Sequence, residues 1–349
     1  MSTSEFRKDN HYLSQSYLKR WESSPKKVFV YRSLVSHENV PLWKEESIET
    51  FAYQEYLYTL RSNGVESDEI ERRFADEFES PAESPIQNVL NEDSLTPDDW
   101  HKMVRFLALH DLRTPARLIE HMKAYSETMP GIMEGVLTQI PELLERRNPS
   151  VSDTFNNKLK ATLPLKVTTK IEDGEEFGIL KVETAAGRQS WLSLMEHQLD
   201  NTAKILHRHK WTIMHPAKGM SWITSDKPVI RLNYYAPGKY NFKGGLGNNG
   251  SEILMPLSPE HMLYTCVGKK PPQRGTKFSV EQTNILRRII AEHAHRYVFG
   301  KNADDEVSSV IPRHVDAQIF KQEKEQWERW HSEQTESEDF FLGQISRIS

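Results

Sequence analysis

Five residues of this chain have the types and placement to do chemistry: His11, Gln15, Glu79, Arg113 and Asp226. Histidine, carboxylates and arginine drawn from distant segments are the usual ingredients of a hydrolytic or phosphoryl-transfer site. His11 titrates near neutral pH and suits a general acid or base. Gln15 follows four residues later, one helical turn on, where it can orient a water or a substrate oxygen. Glu79 and Asp226 are oxygen ligands of the kind that Mg or Mn prefers, so both are also candidate metal ligands. The planar fork of Arg113 matches a phosphate. Arg20, His110, Arg117 and Ser225 are candidates for substrate binding.

Each of these has a plainer reading. Asp226 precedes Lys227-Pro228 and can be a turn residue bonding its own backbone. Arg113 can pair with Glu79 as a structural ion pair, and His11 and Gln15 can satisfy one another. Ser225 lies in no nucleophile-elbow motif. The pairs His207/His209 and His293/His295 are two residues apart, so on a helix they point away from each other. The glycine-rich stretch around Lys243 lacks the Gly-Lys-Ser/Thr end of a phosphate loop.

The elements that must position these side chains follow from pattern. Thr96 is a strong N-cap, with Pro97 in the first helical position and Asp98 and Asp99 at the positive helix end. The helix it opens runs to about residue 112. Pro115 forbids its continuation, and Thr114 can cap a new helix, so Arg113 falls at a break between two helices. The spacing also predicts helices over 11–22 (capped by Asn10), 46–62, 67–79, 85–91, 131–147, 190–209 and 279–297. Strands are predicted over 27–31, 211–214, 221–224, 229–233, 253–257 and 262–267, with a hairpin joining 165–169 to 178–184. The expected class is α+β: an α-helical first half packed on a mixed or antiparallel sheet with helices in the second half. Residues 1–10 are expected to be disordered. Residues 11–330 are expected to form a single domain, with a helical part over 11–150 and a mixed part over 151–330. Residues 331–349 are expected to be a loose acidic tail.

Composition excludes several classes. The chain has 349 residues, 37% of them hydrophobic and eight of them tryptophan, so a disordered chain is excluded. Its one cysteine, Cys266, rules out an internal disulfide framework and a Cys-based zinc site. No apolar run approaches the ~20 residues of a membrane span, and the first ten residues lack the apolar core of a signal peptide. The expected setting is therefore cytoplasmic, without a membrane partner. The net charge of −5 is far from the strongly basic footprint of a nucleic-acid-binding domain. It is also uneven: +4 over residues 1–44, −13 over 45–100, +9 over 101–300 and −5 over 301–349. An acidic region folding against a basic one fits this pattern, and so does a basic groove for an anionic substrate.

Several motifs in order resemble the uncharacterised domain-of-unknown-function family 4238. They are His11-Tyr12-Leu13-Ser14-Gln15-Ser16-Tyr17-Leu18-Lys19-Arg20-Trp21, Glu77-Phe78-Glu79-Ser80, Arg113-Thr114-Pro115, Trp222-Ile223-Thr224-Ser225-Asp226-Lys227-Pro228 and Pro256-Leu257-Ser258-Pro259. The chain departs from the family at Ser14, where proline is usual, and at His110, where glutamine is common. The resemblance implies no established activity, but it groups the polar residues named above. Two readings follow from those residues. The first is a hydrolase acting on phosphodiester bonds, nuclease-like and with nucleic acid as partner, suited to a bacterial defence or toxin effector. The second is a non-catalytic binding or regulatory module with a protein partner, in which the same residues form a structural network.

Overall fold

The opening segment folds as a strand, a turn and a short helix, where periodicity predicts one helix over 11–22. The computed structural model describes residues 6–62, 65–145, 165–171 and 178–342. In it the strand Asp9–His11 pairs antiparallel with Tyr53–Glu55, so His11 lies on a ladder. Asn10 is buried, and its Oδ1 accepts from the Tyr58 amide at 2.9 Å. It is therefore not available as a cap. Ser14 takes that role: its backbone is extended and its Oγ accepts from Tyr17 N–H. The helix Gln15–Leu18 and a 3-10 turn Lys19–Trp21 follow. Leu13, Tyr17 and Trp21 are fully buried, on the stripe that their spacing predicts.

The predicted helix over 46–62 is replaced by strands. Trp43–Ser47 pairs with Lys27–Arg32, and Leu60–Ser62 pairs with Val65–Ser67. Ala52 and Tyr56 both have φ of 56°, a left-handed conformation that no α-helix of L-residues contains. Past this region the acidic stretch is continuous. Helix Glu69–Phe74 passes through a π turn, Ala75–Glu79, into helix Ser80–Leu90. Helix Pro97–Leu112 starts on the Thr96–Asp99 capping box, and a further helix spans Pro115–Glu145.

Two larger sheets complete an α+β architecture. The six-stranded one has the order Lys239–Asn241, Ile230–Ala236, Glu252–Pro256, Met262–Cys266, Thr212–His215, Thr276–Lys277, antiparallel except for the last pair. The four-stranded one has the order Thr224–Ser225, Tyr297–Gly300, Lys27–Arg32, Trp43–Ser47, antiparallel throughout. Strands thus lie in the first half as well as the second. The predicted strand over 221–224 is displaced to Thr224–Ser225. The strands Leu165–Ile171 and Gly178–Thr184 pair as predicted, and the turn between them lies outside the described residues.

One large apolar cluster draws on both halves, from Leu13, Trp21 and Phe106 to Leu263, Phe299 and Trp330. Its polar pegs are specific. Tyr17 OH bonds Thr224 Oγ1 and Pro256 O, each at 2.7 Å, and Trp21 Nε1 donates to Trp222 O at 3.1 Å. The last described helix is Ala317–Leu342, so the expected tail is helical as far as residue 342. Arg188 pins it with two bonds to Glu338, at 3.0 and 2.6 Å. No described helix is long and apolar enough to cross a membrane.

Candidate functional site

Arg113 is the centre of a polar cluster built from three segments. Its guanidinium is 1% exposed. Nε donates to the Tyr12 carbonyl at 3.0 Å, Nη2 meets Glu79 Oε1 at 2.5 Å, and Nη2 also reaches His110 Nε2 at 3.3 Å. The helix break predicted at this point sets the geometry. Arg113 caps the helix Pro97–Leu112 with non-helical ψ, and its own carbonyl accepts from Tyr58 OH at 2.5 Å. His110 sits one turn back, with Nδ1 3.0 Å from Phe106 O. A protonated Nδ1 donating to that carbonyl leaves Nε2 as acceptor for Arg113. Burial and the adjacent guanidinium hold His110 well below the usual histidine range, so it is neutral.

Glu79 is presented by the π turn. In an α-helix of 3.6 residues per turn, eight steps leave residues 71 and 79 about 80° apart around the axis. One extra residue in the turn reduces that to roughly 20°. Glu71 and Glu79 therefore share a face, and both act on Arg113. Glu71 is the residue that sequence reasoning missed. Its Oε2 is buried without a hydrogen-bond partner, and burial pushes its carboxyl up to about 7, against the pull of Arg113. The His11 amide also donates to it.

His11 and Gln15 complete the cluster. Gln15 Nε2 lies 3.2 Å from His11 Nε2, so the amide donates and the imidazole accepts. Burial, followed by Arg113, lowers the His11 pKa, and the neutral ring prevails at pH 7. Both side chains are only partly buried. Tyr53, 5.7 Å from the His11 ring, leads into a cavity of about 610 Å³. That cavity is lined by Tyr56, Tyr297, Phe320, Trp327 and His331 among others. Arg20 lies over the Tyr17 and Phe106 rings, and its Nη1 donates to Leu257 O at 3.3 Å.

The other predicted site residues sit elsewhere. Arg117 binds Asp111 Oδ1 at 2.7 Å and Glu120 Oε2 at 2.8 Å, in a group with Lys227 and Arg231. Ser225 is fully buried on a short strand, its Oγ accepting from Lys227 N–H at 3.2 Å. Asp226 accepts three backbone amides: His295 at 2.8 Å, Arg296 at 2.7 Å and Tyr297 at 3.1 Å. Its oxygens join two strands of the four-stranded sheet, whereas Glu79 serves Arg113. Tyr12 separates them, its carbonyl on Arg113 and its phenol toward Asp226.

The raised Glu71 carboxyl has a stability consequence with a definite sign. The folded state holds its proton to about pH 7 and the unfolded chain only to about 4.5. This contribution is full below 4.5 and is lost as pH rises through 7. Urea unfolding should show the natural chain losing up to about 3 kcal/mol across that window relative to Glu71→Gln. Parallel pH profiles for the two proteins would sink this account.

A family model described as a protein of unknown function, DUF4238, matches residues 9–304. No curated protein and no solved structure matches the chain.

Proposed function

Since the chain belongs to the DUF4238 family, we propose that it hydrolyses phosphodiester bonds by acid–base chemistry at the His11–Glu71–Glu79–Arg113 cluster. The observation that carries this reading is Glu71, a carboxyl pushed up to about 7 beside a neutral imidazole and a buried guanidinium. A group whose pKa lies near the working pH is best poised for proton transfer, and such perturbed groups concentrate at functional sites. In this reading the Gln15 amide turns from His11 Nε2 to a water, which gives its proton to that freed nitrogen and attacks phosphorus. The bond to the leaving oxygen breaks, and that oxygen takes the proton of Glu71. Arg113 supplies positive charge. The aromatic lining of the neighbouring cavity supports a nucleotide substrate, because bases stack on such rings. Glu79, paired with Arg113, and Glu71, which keeps its proton to about pH 7, do not suit a Mg or Mn ion, so the reading needs no metal at this place.

A second reading rests on Arg113 itself. It is almost fully buried, and its described partners are all internal. A binding or regulatory module with a protein partner has use for such a network as a clamp between the opening segment and the helix Pro97–Leu112.

A cleavage panel separates the two. Labelled single- and double-stranded RNA and DNA are incubated with the chain, with Mg, Mn or a chelator. Cleavage that falls at least 100-fold in His11→Ala and Glu71→Gln, with folding intact, supports the hydrolase. No cleavage by the natural chain under any condition rejects it and favours the module.

A further inference from the structure

Three side chains far apart in sequence meet at one end of the six-stranded sheet. His215 closes the strand Thr212–His215, and His261 lies just before the strand Met262–Cys266. These strands pair antiparallel with Met214 opposite Met262, so the next step of the register sets His215 against His261. Opposite residues project from the same face with Cβ atoms about 5 Å apart. The two imidazole centroids are 5.0 Å apart. Glu92 arrives from just beyond helix Ser80–Leu90, its Oε1 3.0 Å from His261 Nε2 and 3.5 Å from His215 Nε2.

We propose that Glu92, His215 and His261 form a zinc-binding site. Among the described residues they make up the group of metal-ligating side chains whose ligand atoms all lie within 4.8 Å of one another. Ligands about 2.0–2.1 Å from a tetrahedral zinc stand roughly 3.3 Å from each other, and the two glutamate–histidine distances, 3.0 and 3.5 Å, straddle that value. The supporting shell is present as well. Ser258 Oγ lies 2.8 Å from His261 Nδ1 and is itself held by the Glu260 amide at 3.2 Å. With its proton on Nδ1 donating to Ser258, His261 turns an unprotonated Nε2 toward the metal.

Glu92 adds a backbone argument. It has φ of 60°, in the position after a helix end where glycine or asparagine is the ordinary choice. What glutamate brings there is its carboxylate. Two imidazoles and one carboxylate suit a borderline ion such as Zn²⁺, whereas Mg²⁺ and Ca²⁺ favour all-oxygen sets. Three protein ligands leave one tetrahedral position for water, and Glu92, about half exposed, faces solvent. The site shares no residue with the Arg113 cluster and does not depend on the hydrolase reading.

The test uses the full chain, stripped with a chelator and then titrated with Zn²⁺ alone. The expected result is one zinc retained per chain after desalting, and a melting temperature that rises with zinc concentration. Glu92→Ala and His215→Ala should each weaken zinc binding by about 100-fold or more and remove that rise, and Ser258→Ala should weaken it 10–100-fold. His197→Ala, an exposed histidine outside the group, should leave binding unchanged. Failure of the natural chain to retain zinc, or undiminished binding in Glu92→Ala and His215→Ala, would overturn the assignment.

Discussion

Arg113→Met should destabilise the protein by about 3–5 kcal/mol, the range for removing one member of a buried ion pair. In a chain of this length that lowers the melting temperature by roughly 5 °C. Methionine fills much of the space but restores none of the bonds. The Tyr12 carbonyl loses its donor, His110 Nε2 loses another, and Glu79 is left as a carboxylate without its cation. Arg113 is also the main group opposing burial at Glu71, so that carboxyl rises further when the guanidinium goes. The pH slope assigned to Glu71 should therefore move upward in Arg113→Met. Glu79→Leu combined with Arg113→Met should cost less than the two single changes added together, because the double variant leaves no unpaired charge between them. Calorimetry on the four proteins measures both claims. A loss below about 1 kcal/mol in Arg113→Met would place the pair among weak surface bridges and remove the network account.

Asp226→Ala should cost a similar amount, about 3–5 kcal/mol, for a different reason. It leaves three amides, those of His295, Arg296 and Tyr297, facing a buried position without an acceptor. Each such orphan costs about 1–3 kcal/mol. Asp226→Asn separates the contributions. Arg296 and Tyr297 both bond Oδ2, and His295 bonds Oδ1. An asparagine that keeps its one carbonyl at the Oδ2 position satisfies two of the three, so its loss should be about 1–2 kcal/mol. Urea titration of the three proteins gives the ranking. If Asp226→Asn proved as damaging as Asp226→Ala, charge rather than acceptor count would be the governing property. For the cleavage panel, Asp226 variants are poor probes, because lost activity would follow from lost folding.

The sequence was most legible where local chemistry decides the outcome. Thr96, Pro97 and Asp99 announce a helix start within four residues, and Pro115 announces the break that places Arg113. Residues 46–62 failed for the opposite reason. Phe51, Tyr53, Tyr56, Leu57 and Leu60 have helical spacing, but the segment's hydrogen bonds go to strands beginning at residues 9 and 27, and long-range pairing overrides local preference. At the cluster, the motif residues His11, Gln15, Glu79 and Arg113 meet, together with His110. Glu71 escaped because the π turn changes the helical period, and any count based on 3.6 residues puts it on another face. Arg117 stands apart from the cluster because its partner Asp111 lies across the helix break, six residues back. Glu92, His215 and His261 have no shared local pattern. Only the strand register and a helix end bring them together.

The order of the four-stranded sheet also bears on how the chain is made. Strand Lys27–Arg32 has Trp43–Ser47 on one side and Tyr297–Gly300 on the other. On a ribosome adding about 5–20 residues per second, the first neighbour emerges almost at once and the second only after about 10–50 s. For that interval the nascent hairpin carries a row of unpaired amides and carbonyls, with Val28, Val30 and Tyr31 not yet covered. Such an edge is a template for pairing with another chain. Synthesis at high local concentration, or truncation before residue 297, therefore favours aggregation over folding.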